Sequence, residues 1–453
     1  MGKITLQQAA RWCGGRIDPK YADVTFCGAT NDSRNATHGQ LFVALQGLRD
    51  GHAFIPMALE NGAAAVLCSH CDGDYPAIVV ENPHDALGEI AKHERQRLGI
   101  KVVGVTGSVG KSTTKEMIAA VLGAKYRTGK SPANHNNDIG MPMAVLGLED
   151  DTEVAVLEMG MNHFREIAYL SNIAKPDCAV IINIGTMHIE HLGSREGIRQ
   201  AKLEILEGME PGGKLFLNGD DEMLWDAEGA RAWDPVYFGG ANDCCGVFAY
   251  DVREMPGQIS FMVRAGERHF PVTLPLEGLH HVDDALAAVA VGLHLGVSPE
   301  DISESLAMFR NMAGRQEIFE AKGCTIIKDC YNAGPESMAA ALNVLGNRPG
   351  RKIAVLGDML ELGPCTRAEH YKVGRIAAGK ADILLAYGPN SDGMLSGART
   401  GGMNPNFSRA FTDKEKLVHN LKSLAKPGDA ILFKGSRGMR MEQALEAFLE
   451  EEK

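Results

Sequence analysis

A glycine-rich turn joins an apolar strand to a helix and holds the residues best suited to chemistry. The stretch reads Val102-Val103-Gly104-Val105-Thr106-Gly107-Ser108-Val109-Gly110-Lys111-Ser112. Successive backbone N–H groups in such a turn point into one concavity that holds phosphate oxygens, and the positive end of the following helix adds to the attraction. Lys111 is predicted to reach the outer phosphates of a nucleoside triphosphate, and the Ser112 hydroxyl to ligate Mg²⁺.

The glycine spacing differs from that of the common phosphate loop. The first glycine of the usual motif would fall at Val105, whereas the glycines here are Gly104 and Gly107. An ordinary strand-to-helix turn is the alternative interpretation. Nucleotide binding is favoured because a strand, glycines, Lys-Ser and a helix from Ser112 to about Gly123 follow one another in order.

Two polar residues follow apolar stretches that are predicted to be strands. Glu158 comes directly after Val154–Leu157, and His188 follows Cys178–Ile184. Because ligands bind at the carboxyl ends of parallel strands, both side chains are expected near the phosphate loop. A carboxylate and the Ser112 hydroxyl suit Mg²⁺, whereas an imidazole is a less usual ligand. Taken singly, either residue is as compatible with a structural polar group.

Three further segments are dense in polar residues. Asn134–Asp138 is a polar loop able to contact phosphate or sugar groups, and Asp329–Asn332 follows a strand and could hold a ribose or stack on a base. Lys434–Arg440 suits an anionic ligand. The plainer interpretations are turns for the first two segments and a basic surface loop for the third. Lys202 lies in a helical stretch, where the residues alone predict a solvated lysine.

Short apolar strands alternate with helical stretches from about residue 100, which predicts an open α/β sheet. The pattern becomes more β-like over Phe248–Pro275, and a boundary near Asn311–Arg315 precedes a second α/β region. The preceding residues mix short strands and helices. We therefore predict three domains, residues 1–98, 99–312 and 313–453.

Composition indicates a cytoplasmic enzyme. The chain has 453 residues and a net charge of −12, which disfavours a general role in binding nucleic acid. No apolar run reaches the length of a membrane span, and the first residues do not resemble a signal peptide. The ten cysteines are expected to be reduced thiols. Cys68 and Cys71 form a lone Cys-x-x-Cys pair without a matching second pair, which disfavours a metal or redox site.

Taken together, these segments resemble the Mur ligases of peptidoglycan synthesis. Thr106–Ser112 is similar to the family's ATP loop, and Glu158–His163 and Gly185–His188 are similar to its Mg²⁺-site segments. Ala201–Ile205 resembles the segment whose lysine is carbamylated. The resemblance thus implies ATP, Mg²⁺ and an N-carboxylysine at Lys202, where a carbamate beside Mg²⁺ makes chemical sense and an ammonium does not.

The resemblance covers essentially the whole chain in family order. It implies an α/β protein of three domains: a small UDP-sugar-binding domain, a central P-loop parallel-sheet ATPase domain and a C-terminal Rossmann-like domain. Closure of the last domain about Gly314 is expected to complete the site. The segments outside the central domain that carry the likeness are Asn31–Arg34, Leu41–Gly47, Asp50–Phe54, Gly314–Arg315, Asp329–Pro335 and Lys434–Met441.

The resemblance assigns roles to individual residues. The predicted catalytic residues are Lys111, Glu158, His188 and Lys202, and the predicted metal ligands are Ser112, Glu158, His188 and Lys202. The predicted ATP-binding residues are Thr106, Gly107, Ser108, Val109, Gly110, Lys111, Ser112, Thr113, His280, Asp284, Arg315, Asp329, Tyr331 and Asn332. The predicted substrate-binding residues are Ser33, Arg34, Phe42, Gln46, Gly47, Asp50, His52, Asn134, Asn136, Asn137, Lys434, Ser436 and Arg437.

One segment departs from the family pattern. The family usually has Gly-x-His-Asn-x-x-Asn near the end of the central domain, with polar groups that read adenine. Here His280 matches, but His281 and Asp284 replace the two asparagines. Because an aspartate has no amide donor, adenine recognition through Asp284 is an open question.

The reaction implied is ATP-dependent amide-bond formation. The terminal carboxylate of a UDP-N-acetylmuramoyl-tripeptide takes the γ-phosphoryl group of ATP, and the amine of D-alanyl-D-alanine then displaces phosphate. The implied partners are these two substrates, with no nucleic acid, no membrane insertion and a monomeric protein. Lys434–Met441 is typical of the member that adds this dipeptide.

Three alternatives differ in the chemistry they imply. A sibling ligase would add another amino acid, but the Asp-Asn-Pro-Arg segment usual in the diaminopimelate-adding sibling does not occur here. A P-loop kinase or NTPase switch leaves the N-terminal segments and the Lys434 segment unexplained. A non-catalytic nucleotide-binding module would tolerate the loss of Glu158 or Lys202.

Overall fold

The computed structural model describes residues 4–47 and 49–450. Residues 1–3, 48 and 451–453, which belong to the predicted N- and C-terminal domains, lie outside the described residues. The described part of the chain forms four sheets, and their strands follow one another along the sequence in three groups. The domain boundaries themselves stay predictions.

The first group of strands forms a two-stranded antiparallel sheet, β1–β2, and a four-stranded parallel sheet in the order β3-β4-β5-β6. The strands are β1 Ile4–Thr5, β2 Thr25–Phe26, β3 Ala29–Thr30, β4 Leu41–Val43, β5 Ala65–Cys68 and β6 Ala77–Val79. The helices are α1 Leu6–Cys13, α2 Ile55–Glu60 and α3 Pro83–Leu98.

The central sheet has nine strands in the order β15-β14-β13-β12-β11-β10-β7-β9-β8. The strands are β7 Lys101–Thr106, β8 Thr128–Lys130, β9 Val154–Glu158, β10 Cys178–Ile181, β11 Lys214–Asn218, β12 Val236–Gly239, β13 Val247–Met255, β14 Gln258–Ala265 and β15 Arg268–Leu274. The helices are α4 Lys111–Gly123, α5 Gly140–Leu146, α6 Glu166–Ala174, α7 Ile189–Leu192, α8 Arg195–Leu203, α9 His280–His294 and α10 Pro299–Ala307.

Six neighbouring strands of the central sheet, from β8 to β12, run parallel to one another, as their apolar sequences predict. The β-like region predicted near residue 248 forms an antiparallel extension, β13 to β15. The predicted strand Cys178–Ile184 ends earlier, at Ile181, and the predicted helix begins at Lys111, one residue early. The shorter strand leaves residues 182–188 free to form a loop beside the phosphate loop.

The third sheet has six strands in the order β16-β17-β21-β18-β19-β20, parallel except for β16. The strands are β16 Glu317–Ala321, β17 Cys324–Asp329, β18 Lys352–Gly357, β19 Ile383–Tyr387, β20 Ser408–Phe411 and β21 Ala430–Lys434. The helices are α11 Pro335–Gly346, α12 Thr366–Ala378, α13 Ser391–Thr400, α14 Lys414–Leu424 and α15 Met441–Leu449.

Burial of both sheet faces holds the phosphate loop in place. Helix α4, which follows the loop, packs against α9 in the core on one face of the central sheet. Its apolar residues Met117, Ile118, Val121 and Leu122 are all buried. None of the helices in residues 4–47 and 49–450 is long and apolar enough to cross a lipid bilayer.

Candidate active site

A cavity of about 450 Å³ lies where the central sheet faces the C-terminal sheet. The phosphate loop lines one side of it, and the turn after β17 lines the other. Strand β7 lies between β9 and β10: the chain goes from β7 to β8 and β9 on one side and then crosses to β10 on the other. Such a reversal of strand order opens a crevice at the carboxyl ends of the strands, where ligands bind in α/β proteins.

The amide of Asn183 shapes the phosphate loop from the neighbouring strand connection. Its Oδ1 accepts hydrogen bonds of 2.9 Å from the N–H groups of both Ser108 and Val109, and its Nδ2 donates to the Val109 carbonyl at 3.0 Å. These two N–H groups therefore serve the protein rather than a phosphate. The first N–H groups of α4, which have no partner within the helix, are the ones left for an anion. The sequence prediction missed Asn183, although its place after β10 was a usable signal.

Lys111 folds back over the loop that precedes it. Its Nζ donates to the carbonyl oxygens of Gly107 at 2.7 Å and Ser108 at 3.2 Å. Burial lowers the pKa of Lys111 from its usual value, and the carboxylate of Glu158 opposes that shift. An anionic ligand in the loop would offer the ammonium group a stronger partner than two carbonyl oxygens.

Ser112 and Glu158 form the centre of a buried polar cluster. The Ser112 hydroxyl donates to Glu158 Oε2 at 2.7 Å and accepts from Arg315 Nη2 at 3.0 Å. Asn136 Nδ2 donates to the other carboxylate oxygen at 2.8 Å. Four predicted site residues, distant in sequence, are therefore brought together. A hydroxyl and a carboxylate beside a phosphate loop form a donor set that fits Mg²⁺, which takes one or two carboxylates plus phosphate oxygens.

His188 lines the same cavity but contacts a residue of the C-terminal region, in the loop after β18. Its Nδ1 lies 2.8 Å from Glu361 Oε2, and this contact lowers the pKa of Glu361. Glu336, at the start of α11, accepts from the Thr186 N–H at 2.9 Å. In the part of the chain that the structure describes, no three His, Cys, Asp or Glu side chains cluster closely enough to hold a metal by themselves.

The prediction that Lys202 is a solvated helix lysine is wrong. Lys202 is only 2% exposed, because α8 turns this face toward the protein interior. Its amine has no hydrogen-bonding or ion-pairing partner within residues 4–47 and 49–450, and Lys202 is not among the cavity-lining residues. Burial, and to a smaller extent the charge of Lys111, holds the pKa of Lys202 well below its usual value. The side chain is a buried amine that favours the neutral form.

Arg315 and Tyr331 close the cavity from the C-terminal side. The Arg315 guanidinium lies 4.2 Å from the centre of the Tyr331 ring, a cation–π contact. The same guanidinium reaches Ser112, so it bridges the two sides of the cavity. Gly314, just before it, has φ +77°, a left-handed conformation that favours glycine at this junction.

Lys434 is buried, which rules out the basic-surface-loop interpretation for this residue. Its Nζ donates to Asp329 Oδ2 at 2.6 Å and to the Asn332 carbonyl at 3.1 Å. The Ser436 hydroxyl donates to the Ala333 carbonyl and accepts from the Leu360 N–H. Both residues thus hold the turn that follows β17 and lines the cavity. Arg437 is exposed and pairs with Glu442 at 3.2 Å.

The asparagine loop divides between two roles. Asn136 holds Glu158, whereas Asn137 accepts from the Gly140 N–H at 2.7 Å and so supports the start of α5. Both line the cavity. Asn134 has φ +66° in a turn and is not among the cavity-lining residues. The three residues were predicted together as substrate-binding, but only Asn136 and Asn137 line the cavity.

Apart from Phe42, which lies within β4, the predicted sugar-binding residues lie in the segments that follow β3 and β4, outside the cavity lining. Asp50 Oδ1 lies 2.7 Å from His52 Nδ1, and His52 Nε2 accepts from the Ser69 N–H at 3.1 Å. Both ring nitrogens of His52 are therefore used within the protein. The other predicted residues of this group also have internal contacts: Arg34 pairs with Asp32, Ser33 is buried, Gln46 pairs with Asp50 through the backbone, and the Gly47 N–H reaches the Arg49 carbonyl.

Phe42, which the resemblance places among the substrate-binding residues, is buried. It is 1% exposed and lies in a small apolar core on one face of the four-stranded sheet. Strand β4 is buried along its whole length, so both of its faces are covered. In this structure the Phe42 ring is therefore placed to support neighbouring residues from within the core.

The cysteines carry no assigned chemistry. All ten lie in the part of the chain that the structure describes, and none of them forms a disulfide there. Burial raises the pKa of Cys68 to about 12, which makes it a poor nucleophile and a poor metal ligand at neutral pH.

Comparison with known proteins matches the chain along most of its length. The family model described as the Mur ligase middle domain matches residues 105–292, and the model described as Mur ligase, glutamate ligase domain, matches residues 314–437. The chain is 39% identical over 460 residues to the UDP-N-acetylmuramoyl-tripeptide–D-alanyl-D-alanine ligase of Bacillus subtilis (strain 168), covering 99% of each.

Two solved structures are similar to this chain. The crystal structure of MurF from Acinetobacter baumannii has a TM-score of 0.90 and 32% identity, with 100% of each chain covered. The structure of MurF ligase from Thermotoga maritima in complex with ADP has a TM-score of 0.81 and 31% identity, covering 93% of this chain and 97% of that one.

Proposed function

The chain belongs to the Mur ligase family, and on that premise we propose that it joins D-alanyl-D-alanine to UDP-N-acetylmuramoyl-tripeptide, using ATP. The observation that carries this assignment is full-length similarity to a ligase with this name, together with a cavity built as a nucleotide site. The product is the pentapeptide precursor of peptidoglycan.

ATP is needed because carboxylate oxygen is a poor leaving group at neutral pH. An oxygen of the tripeptide carboxylate attacks the γ-phosphorus, the bond to the β,γ-bridging oxygen breaks, and ADP leaves with that electron pair. The amine of D-alanyl-D-alanine then attacks the acyl carbon, and phosphate leaves as the amide forms. Lys111, whose amine lies over the phosphate loop, would offset the negative charge that spreads over the transferring phosphoryl group.

We assign the metal site to Ser112 and Glu158, with His188 beside them. The hydroxyl–carboxylate pair at 2.7 Å supplies oxygen ligands, and Asn136 orients the carboxylate from its other oxygen. A bound Mg²⁺ would neutralise phosphate charge at this position. The pair is already next to the phosphate loop, which supports the assignment.

We also propose that Lys202 is carbamylated. A neutral amine attacks the carbon of CO₂ and loses a proton to give a carbamate, whereas a protonated amine cannot react. Lys202 fits this requirement because its pKa is lowered and no partner in the described residues holds its amine. The resulting anion would supply oxygen atoms that could ligate a second Mg²⁺.

The remaining assignments follow the domain arrangement. We propose that the strand ends around Asp50 hold the UDP-sugar and that the exposed Arg437 meets the dipeptide carboxylate. Closure about Gly314 would carry Arg315 and Tyr331 over the nucleotide. We further propose that the protein acts in the cytoplasm, because ATP and nucleotide-linked substrates are available in that compartment. We propose that it acts there as a monomer.

Phosphate release tests the proposed function. The protein is incubated with ATP, Mg²⁺ and UDP-N-acetylmuramoyl-tripeptide, with and without D-alanyl-D-alanine, and phosphate and product mass are measured. We expect phosphate release to require both substrates and to accompany a product heavier by one dipeptide less water. L-alanyl-L-alanine serves as a stereochemical control. Phosphate release that is indifferent to the dipeptide would exclude the ligase assignment.

A further inference from the structure

A buried lysine lies one turn beyond Ser112 on α4, the helix that follows the phosphate loop. Lys115 is 0% exposed, although a lysine is rarely buried in full. Its Nζ donates to the Ser131 carbonyl at 2.6 Å and lies 3.1 Å from Glu116 Oε1. Lys115 is not among the residues that line the nucleotide cavity, so a contact with ATP does not account for its burial.

Ser131, the partner of Lys115, holds the end of strand β9. It follows β8 directly and is itself 0% exposed. Its N–H donates to the Val156 carbonyl at 3.0 Å, and its hydroxyl accepts from the Glu158 N–H at 3.0 Å. Ser131 therefore fixes the stretch of backbone from which the Glu158 carboxylate extends.

These contacts close a loop of hydrogen bonds beside the candidate metal site. Lys115 Nζ meets the Ser131 carbonyl, and the Ser131 hydroxyl meets the Glu158 N–H. The Glu158 carboxylate in turn accepts from the Ser112 hydroxyl at 2.7 Å, which brings the connection back to α4. Ser112 and Lys115 lie on one face of that helix. Both the backbone and the carboxylate of Glu158 are thereby fixed relative to the phosphate loop.

We propose that Lys115 and Ser131 are positioning residues that hold the Glu158 carboxylate where it can ligate the metal ion bound with ATP. The inference rests on the metal site proposed at Ser112 and Glu158. Lys115 suits this role because its long side chain carries a donor from α4 to the backbone that follows β8. Groups that orient a metal ligand change metal affinity about tenfold to a hundredfold when they are lost.

The charge of Lys115 would act in the opposite direction to its hydrogen bond. A positive charge near a bound cation weakens the binding of that cation, so removing the charge alone would tighten metal binding. Loss of the bond to Ser131 would instead release the end of β9 and weaken metal binding. Glu116 partly balances the charge, because its carboxylate pairs with both Lys115 and Lys130. The direction of the change therefore separates positioning from charge.

Nucleotide binding tests this inference without requiring ligation. Dissociation constants of ATP are measured for the full-length protein in EDTA and in saturating Mg²⁺. Their ratio is the metal factor, by which Mg²⁺ tightens the binding of ATP. Lys115→Met keeps the apolar stem and removes the donor, and we expect it to lower the metal factor about tenfold.

Ser131→Ala tests the second half of the hydrogen-bonded loop. It should lower the metal factor as well. The double variant with Lys115→Met should lose less than the product of the two single effects, because both residues act on Glu158 through the same contacts. Lys125→Met is the matched control. Lys125 also donates to a backbone carbonyl, that of Gly296 at 2.7 Å, but it lies beyond the end of α4, and its variant should keep the wild-type metal factor.

An unchanged or larger metal factor in folded Lys115→Met, or an equal loss in Lys125→Met, would overturn the inference. If Lys115→Met does not fold, an unchanged factor in Ser131→Ala overturns it instead. Glu158→Gln separates the inference from the proposed metal site. A loss confined to Glu158→Gln would refute the positioning role alone, whereas no loss in Glu158→Gln would refute the metal site and the inference with it. The expected metal factors in a protein that releases no phosphate would refute the ligase activity alone.

Discussion

Replacing Lys202 with alanine is expected to lower kcat/KM for ligation by about a thousandfold, ~4 kcal/mol of transition-state stabilisation. The reason is that the carbamate would be lost together with the anionic ligand it supplies. The dissociation constant of ATP should change by no more than about threefold, because Lys202 does not line the nucleotide cavity. Steady-state kinetics measure the fall in kcat/KM, and equilibrium binding measures the dissociation constant of ATP. Full activity would refute the carbamate role.

Lys202→Met separates lost chemistry from lost packing, because it keeps the buried apolar stem without the amine. It should be as inactive as Lys202→Ala. In CO₂-free buffer Lys202 lowers the free energy of unfolding of the wild-type protein. The reason is that its amine binds a proton readily in the unfolded chain, whereas burial disfavours that proton in the folded chain. The methionine variant should therefore be the more stable protein below the lowered pKa. Its advantage should shrink as pH rises toward the usual pKa of lysine. Carbon-13 bicarbonate should give a carbamate NMR signal in wild type only.

Glu158→Gln is expected to lower kcat/KM by about a hundredfold or more, ~3 kcal/mol. The substitution keeps the shape and the contact with Ser112, but it removes the charge that pairs with a cation beside the phosphate loop. The Mg²⁺ concentration needed for half-maximal activity should rise as well. Titration of activity with Mg²⁺ at saturating ATP measures both effects.

Glu116→Gln is the matched control for this substitution. Glu116 lies on α4, one turn beyond Ser112, but its carboxylate pairs with Lys115 at 3.1 Å and with Lys130, and it is not among the cavity-lining residues. Glutamine keeps a side-chain oxygen that can accept from these lysines, so activity and the Mg²⁺ requirement should stay near wild type. Equal losses in both variants would show that Glu158 acts through the stability of the domain rather than at the metal site.

The class of fold and the phosphate loop were predictable because both are local patterns. Buried parallel strands are apolar along their whole length, and a glycine turn followed by Lys111 and Ser112 is read from adjacent residues. The meeting of Ser112 with Glu158 followed from a general rule about the carboxyl ends of strands. The α/β class and its three-domain Mur ligase architecture were confirmed. The roles assigned to single residues stay predictions.

The remaining features depend on contacts between distant parts of the chain. The exposure of Lys202 is set by which face of α8 the protein covers, and a short helical stretch does not reveal that face. Asp284 pairs with Thr114 across 170 residues, so its substitution for asparagine could be noticed in the sequence but not explained. The burial of Phe42 depends in the same way on what covers the two faces of β4, and three apolar residues in a row do not reveal that.

The fate of the carboxylate oxygen tests the central claim most directly. UDP-N-acetylmuramoyl-tripeptide labelled with oxygen-18 in its terminal carboxylate is ligated in ordinary water, and the released phosphate is analysed by mass. If ATP activates the carboxylate, one labelled oxygen passes from it to phosphate for each amide bond formed. Unlabelled phosphate released alongside the ligated product would contradict the account, because the carboxylate would then never have carried the phosphoryl group.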